Sequence, residues 1–68
     1  MSLSVMYAAK LTSNQAYWLL CRVLPASDDA TRVLRDSKEQ GADWGPMHHV
    51  TYHKKHDTYD VIIDLGED

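Results

Sequence analysis

The last third of the chain alternates between apolar and polar residues, as a half-buried β-strand does. One set of alternate residues is apolar and the other is mostly polar: Tyr59, Val61, Ile63 and Leu65 against Thr58, Asp60, Ile62 and Asp64. A period of two residues places the two sets on opposite faces of a strand. The run 47–54 before it is rich in Val, Thr, Tyr and His, and the polar segment 55–57 separates the two runs. The pattern predicts a β-hairpin that starts after Gly45-Pro46 and ends at Leu65.

A helical pattern precedes the hairpin. Its apolar stripe is short: Ala30, Val33 and Leu34. Ser27 is a favourable N-cap, and the aspartates at 28–29 suit the positive end of a helix dipole. Gly41 is well placed to end the helix in the left-handed conformation. We therefore predict a helix over 28–40.

The chain begins with a further strand candidate, because residues 3–11 are largely apolar. As a strand, this segment places four apolar side chains on one face: Val5, Tyr7, Ala9 and Leu11. The segment 12–15 that follows is polar and typical of a turn or of a helix start. We predict a strand over 3–11.

The segment 16–24 fits two structures equally well. As a strand it is largely apolar on both faces, with Arg22 as the exception, which suits a central strand covered on both sides. As a helix it has an apolar stripe at helical spacing: Ala16, Leu19, Leu20, Val23 and Leu24. Thr12 and Gln15 then form a capping box at its start. Both interpretations give the α+β class: one small domain, 1–68, with an antiparallel sheet and a C-terminal hairpin packed against helix 28–40, and with a second helix at 12–24 in the helical interpretation.

The size of the chain and its single cysteine narrow the class of protein. A core built from 68 residues supplies only about 3–5 kcal/mol, so a partner or a homodimer is an expected source of additional stability. Cys21 has no second cysteine with which to pair, which favours a reducing compartment, and we expect a cytoplasmic protein. The apolar run 16–24 is too short to span a bilayer, so we expect no membrane partner.

The charge is unevenly distributed, although the net value is only −3. Residues 57–68 carry five acidic side chains and no basic one. Such a segment disfavours phosphate binding, which needs clustered Lys and Arg, and favours a basic protein partner. From this segment we predict three partner-binding residues: Asp57, Asp60 and Asp64.

The two tryptophans are candidates for an interface, because a partly exposed Trp is a common anchor of a protein complex. We expect Trp44 to cover the sheet at the turn between the helix and the hairpin. Trp18 is harder to bury in so small a domain, and we add it to the predicted partner-binding residues.

Catalytic and metal-binding chemistry has little support. Four histidines lie within nine residues: His48, His49, His53 and His56. On a strand, His49 and His53 share a face but lie about 13 Å apart, too far for one ion, so we expect solvent-facing histidines and no metal. Cys21 lies among apolar residues and is expected to be a small core residue. The sequence contains no glycine-rich loop of the kind that holds a phosphate. We therefore predict that the protein is not an enzyme and binds no cofactor.

A resemblance suggests one function. A helix over 28–40, the turn segment 43–45 and a hairpin, all after an N-terminal strand pair, resemble small phage-encoded anti-CRISPR proteins of β-β-α-β-β plan. The points of similarity are Ala26-Ser27-Asp28, the helix end Ser37-Lys38-Glu39-Gln40 and Asp43-Trp44-Gly45. The resemblance implies a host-inhibitor protein that binds a host complex and performs no chemistry.

The helical interpretation of 16–24 supports an alternative function. Strand, helix, turn, helix and hairpin are similar in order to a trimmed winged helix, a class of DNA-binding transcriptional regulator. Helix 28–40 would then be the recognition helix and the hairpin tip the wing. The DNA-binding residues under this hypothesis are basic: Arg32, Arg35, Lys38, Lys54 and Lys55. The acidic net charge weighs against it.

Overall fold

A computed structural model describes residues 3–67 and gives two helices and one four-stranded antiparallel sheet. The elements in chain order are β1 (Leu3–Leu11), α1 (Ser13–Cys21), α2 (Ser27–Gln40), β2 (Ala42–Trp44), β3 (His48–His53) and β4 (Thr58–Glu67). The strands lie in the order β1-β4-β3-β2. The predicted α+β class is confirmed. Within the described range, no helix is long and apolar enough to cross a membrane.

Both helices pack on the same face of the sheet, and the core lies between the helices and the sheet. The buried apolar residues come from α1, α2, β3 and β4: Ala16, Leu20, Ala30, Val33, Leu34, Val50, Tyr59, Val61 and Ile63. In β4 these are alternate residues, because successive side chains of a strand point to opposite faces. The other face of the sheet has no helix against it among the described residues.

The predicted hairpin is confirmed. β3 and β4 pair in one continuous register from His48 opposite Ile63 to His53 opposite Thr58, and the turn lies at 54–57. The alternation ends before Leu65, which is exposed. A register shift against β1 and a positive φ of 93° at Gly66 change the direction of the strand there.

The segment 16–24 is not a strand, so the strand interpretation is wrong. The predicted second helix over 12–24 is present but shorter, because α1 ends at Cys21 and residues 22–24 form a turn. α1 begins after Thr12, whose Oγ1 accepts a hydrogen bond from the Gln15 backbone N–H, while Gln15 Oε1 accepts one from the Thr12 backbone N–H. This capping box satisfies donors that a helix start leaves without partners. The element order is therefore β-α-α-β-β-β, which differs from the β-β-α-β-β plan that the resemblance implied.

The predicted helix over 28–40 is confirmed, but its start differs. α2 begins at Ser27 itself, and the N-cap is Ala26, which makes no side-chain capping bond. Ser27 is therefore the first helical residue and not the predicted cap. At the other end Gly41 takes the left-handed conformation, with φ of 86°, as the sequence predicts. The fully buried Ser37 is satisfied by donating its hydroxyl to the Leu34 carbonyl at 2.9 Å.

The first strand has the predicted bounds, but a β-bulge changes its faces. Ala8 pairs with Val61 and Leu11 with Tyr59, so β1 has one residue more than β4 over this stretch. Lys10 lies in the bulge with a positive φ of 58°. The extra residue turns Leu11 toward the core, away from the face that it was predicted to share with the other alternate residues of β1.

Replacing Thr12 by alanine tests the capping box. We expect Thr12→Ala to lower the free energy of unfolding by about 1 kcal/mol, because the Gln15 N–H loses its acceptor. Thr12→Ser keeps the hydroxyl and should remain close to the wild type. The midpoint of urea unfolding, followed by circular dichroism, measures both. A Thr12→Ala variant as stable as the wild type would contradict the capping role.

Candidate functional site

The sheet face opposite the helices is the candidate site, and we call it the open face. One residue from each strand forms a row straight across it, which we call the cross-sheet row: Tyr7 opposite Ile62, Ile62 opposite His49, and His49 opposite Trp44. Tyr7 is 61% exposed and Trp44 is 75% exposed. Three of the four side chains are aromatic rings, so the row is a flat and largely apolar strip.

Trp44 is held in a fixed orientation at one end of the row. Its ring stacks on the His49 imidazole with centroids 3.3 Å apart and planes 19° from parallel. His49 Nε2 lies 3.2 Å from Thr51 Oγ1, which fixes the imidazole in turn. The expectation that Trp44 covers the sheet at the turn is wrong, because the stacked indole stays in solvent.

A cleft of about 170 Å³ opens beside Trp44 at the end of the sheet. Its lining is mostly apolar or aromatic, with one carboxylate: Trp44, Gly45, Pro46, Met47, His48, His49, Ile62 and Asp64. The Asp64 backbone N–H donates to the Met47 carbonyl at 2.9 Å and ties the loop to β4. Asp64 Oδ1 accepts from the Gly66 N–H at 2.8 Å, and the carboxylate remains exposed.

Asp60 lies on the open face but is committed to contacts within the chain. Its Oδ1 accepts from the Lys10 backbone N–H at 3.1 Å, which holds the β1 bulge. Its Oδ2 accepts from the Tyr7 hydroxyl at 3.3 Å and lies 3.0 Å from His53 Nε2. The pKa of Asp60 is lowered, and the hydrogen bond from the Lys10 backbone is the largest cause. Burial opposes this shift in part, while His53 and Tyr7 add to it. The charge of Asp60 raises the pKa of Tyr7.

The four predicted partner-binding residues do not form one patch. Asp60 and Asp64 share the open face. Asp57 lies in the hairpin turn, where it accepts a 2.7 Å hydrogen bond from the Tyr52 hydroxyl. Trp18 lies on α1, in the helical layer, and is 66% exposed. Of the four, Asp64 is the one that adjoins the cleft.

The basic residues of the DNA-binding hypothesis are also divided. On α2, Arg32 pairs with Asp36 at 3.0 Å and lies 3.8 Å from Asp43, and Arg35 lies 3.6 Å from Asp36. The Lys38 ammonium lies over the Tyr52 ring, 5.8 Å from its centroid. The remaining two, Lys54 and Lys55, are exposed in the hairpin turn.

His48 is buried, which corrects the expectation of solvent-facing histidines. Its Nε2 lies 3.2 Å from Asp43 Oδ1, and its ring packs so closely on Gly45 that a Cβ there would collide with it. Asp43 also faces Arg32, so this carboxylate connects the buried ring to α2. The other three histidines are partly or fully exposed. The described residues contain no group of three His, Cys, Asp or Glu side chains placed to hold a metal ion.

Cys21, the only cysteine, is half-buried at the end of α1 and packs against the core. Cys21 therefore lies at the edge of the core and is only partly buried, not a fully buried core residue. The thiol lies in the helical layer and contributes nothing to the open face.

Comparison with known proteins gives no match. No family model matches the chain, and neither a curated protein nor a solved structure is significantly similar to it. The fold and the site therefore define the protein only as a small α+β domain with two helices on one face of a four-stranded sheet and an aromatic row on the other.

The pH dependence of stability tests the role of Asp60. Its folded-state pKa lies below the reference value of 3.8, so its ionised form stabilises the fold above that value, and this contribution is lost as the pH falls toward the folded-state pKa. At about pH 6 we expect Asp60→Asn to lower the free energy of unfolding by about 1 kcal/mol.

Urea unfolding of both proteins near pH 6 and near pH 2.5 makes the comparison. Because the two proteins differ at residue 60 alone, the difference between them isolates the contribution of Asp60. The difference should shrink toward zero at the lower pH. A difference that is independent of pH would show that the charge of Asp60 does not support the fold.

Proposed function

We propose that this chain is a small non-enzymatic protein-binding inhibitor or regulator, of the phage-encoded anti-CRISPR type, that binds a basic, nucleic-acid-binding host complex through its open face. The observation that carries the proposal is the cross-sheet row beside a cleft with one carboxylate. The row exposes Trp44 and Tyr7 on a sheet face that no described element of the chain covers.

The row has the composition of an interface centre. Tryptophan and tyrosine are enriched among the residues that contribute most to binding, because each buries a large area at a small cost in side-chain entropy. Trp44 is already fixed by stacking on His49, so binding need not order it. The half-buried Ile62 lies between His49 and Tyr7 and makes the strip continuous.

Charge supports a basic partner. Asp64 is the one carboxylate that lines the cleft, and no Lys or Arg lines it. An arginine side chain of the partner fits this chemistry, because a guanidinium stacks on an aromatic face and donates two hydrogen bonds to a carboxylate. Trp44 and Asp64 both line the cleft and offer such a group an aromatic ring and a carboxylate.

The size of the cleft also favours a side chain over a small-molecule substrate. Ligand pockets typically measure about 300–1,000 Å³, whereas this cleft measures about 170 Å³. A space of this size receives one long side chain. We therefore assign the cleft to anchoring of a protein partner and not to catalysis.

Substitutions at Trp44 and Asp64 test the proposal. The probe is a panel of purified CRISPR effector complexes, each loaded with its guide RNA and immobilised for binding measurements. We expect at least one to bind the wild type, and Trp44→Ala to weaken that binding about 30-fold, the loss typical of an interface hot spot. Asp64→Lys should weaken binding further than Asp64→Asn, because it adds repulsion to the lost attraction.

Trp44→Phe is the matched control, because it keeps a flat ring on His49 and should retain most of the affinity. Plaque formation by a CRISPR-targeted phage on cells that produce the protein gives a second readout. Inhibition of the CRISPR complex should raise the number of plaques, and variants that bind more weakly should raise it less. Binding that is unchanged in Trp44→Ala and Asp64→Lys would refute the open face as the docking surface. A panel without any binder would refute the assignment to this class of inhibitor.

The DNA-binding alternative is retained because of one observation. The order of β1, α1, α2 and the β3–β4 hairpin, with β1 beside β4, follows the order of elements on which the winged-helix hypothesis was based. The ion pairs of Arg32 and Arg35 with Asp36 oppose it. These pairs offset the positive charge of the two arginines on which the hypothesis depends.

Fluorescence anisotropy of labelled random duplex DNA separates the two functions. We expect no binding tighter than about 100 µM at about 50 mM salt, because the net charge gives little counterion release. Micromolar binding that collapses at about 200 mM salt, and that is weakened by Arg32→Ala with Arg35→Ala, would reverse the ranking. Lys54→Ala with Lys55→Ala tests the hairpin tip in the same assay.

A further inference from the structure

The two edges of the sheet differ in how well they are protected. β2, at one edge, has three residues, carries Asp43 and is followed closely by Pro46. Short length, charge and proline are the features by which proteins keep an edge strand from pairing with another chain. β1, at the other edge, has nine residues and carries no charge from residue 3 to residue 9.

The protection of β1 begins only at its C-terminal end. The bulge at Lys10 disrupts the regular strand there and places a charged residue at the edge. Residues 5–9 form an uncharged edge, and the stretch from Val5 to Ala8 pairs with β4 in one continuous register. Such a segment is a template for pairing with another strand.

An apolar groove lies along the same edge. Its volume is about 390 Å³, and every lining residue comes from β1, α1 or the first residue after α1: Ala8, Leu11, Gln15, Trp18, Leu19 and Arg22. Because none comes from β4, the groove opens on the outer side of β1. The exposed Trp18 indole is part of it, which gives the edge an aromatic side chain from the helical layer.

We propose that β1 pairs antiparallel with β1 of a second copy of this chain, about a two-fold axis near Met6. A second copy is the occupant that the observations favour, because an uncharged strand is free of self-repulsion and a two-fold contact needs only self-complementarity. This axis places Val5 opposite Tyr7 of the second copy, a β-branched and aromatic pair of the kind that stabilises sheets. The apolar groove beside Ala8 then faces the second copy.

The dimer would have one continuous eight-stranded sheet, since each copy contributes four strands. An axis perpendicular to the sheet leaves both open faces on the same side. The two cross-sheet rows would then face one partner surface together and raise the avidity of binding. The dimer itself does not rest on the proposed function, and its test uses the protein alone.

Sedimentation velocity from about 1 µM to about 100 µM is the experiment. We expect the wild type to move from monomer to dimer across this range and Val5→Lys to remain monomeric, because lysine on an edge strand opposes pairing. Val5→Thr is the matched control, since it is β-branched and uncharged and should still dimerise. A wild type that stays monomeric throughout, or a Val5→Lys variant that dimerises as the wild type does, would overturn the proposal.

Disulfide cross-linking tests the register and remains informative if Val5→Lys fails to fold. In a Cys21→Ser background, Val5→Cys with Tyr7→Cys places a cysteine of each copy opposite one of the other, within disulfide range for directly opposed residues. Mild oxidation should yield a covalent dimer, while Val5→Cys alone should not. Absence of the cross-link in the folded double variant would rule out this pairing.

Discussion

The structure depends on one constraint: both helices bury their apolar stripes against the same face of the sheet. α1 and α2 have nine and 14 residues, and together they cover the alternate residues of β3 and β4 that form the core. The strand period of two then forces the other alternate residues onto a face with no helix of its own. The cross-sheet row, the cleft and the exposed indole of Trp44 all follow from that one-sided packing.

Asp60 connects this packing to the register of β1. Its hydrogen bond to the Lys10 amide holds the bulge that turns Leu11 into the core while Tyr7 stays on the open face. The same carboxylate also contacts His53. Asp60, which the sequence predicted as a partner-binding residue, therefore uses its charge within the fold. Asp64, four residues on, is the carboxylate that the cleft presents. Charge on this face is therefore divided between stability and recognition.

Local patterns in the sequence predict most of the elements. The alternation over 58–64 and the Thr12–Gln15 spacing are signals of strand and helix that tertiary packing did not overturn. The bulge at Lys10 and the exposure of Leu65 could not be predicted, because they arise from the pairing of residues that are 48 or more positions apart, as Leu11 and Tyr59 are. The site was missed for the same reason, since no spacing within the sequence brings Tyr7 and Trp44 onto one row. His48 shares the core face of β3 with Val50, so the strand period places it inward, and Asp43 and Gly45 give it a partner and room there.

Solvent relaxation in NMR tests most directly whether one face of the sheet is open. A soluble paramagnetic agent broadens the signals of exposed side chains, and buried ones are spared. We predict strong broadening of the Trp44 indole and the Tyr7 ring, and sharp methyl signals from Val50 and Val61, which are fully buried. Protection of Trp44 and Tyr7 equal to that of Val61 would contradict the account, because the face proposed to receive a partner would then be covered by the chain itself.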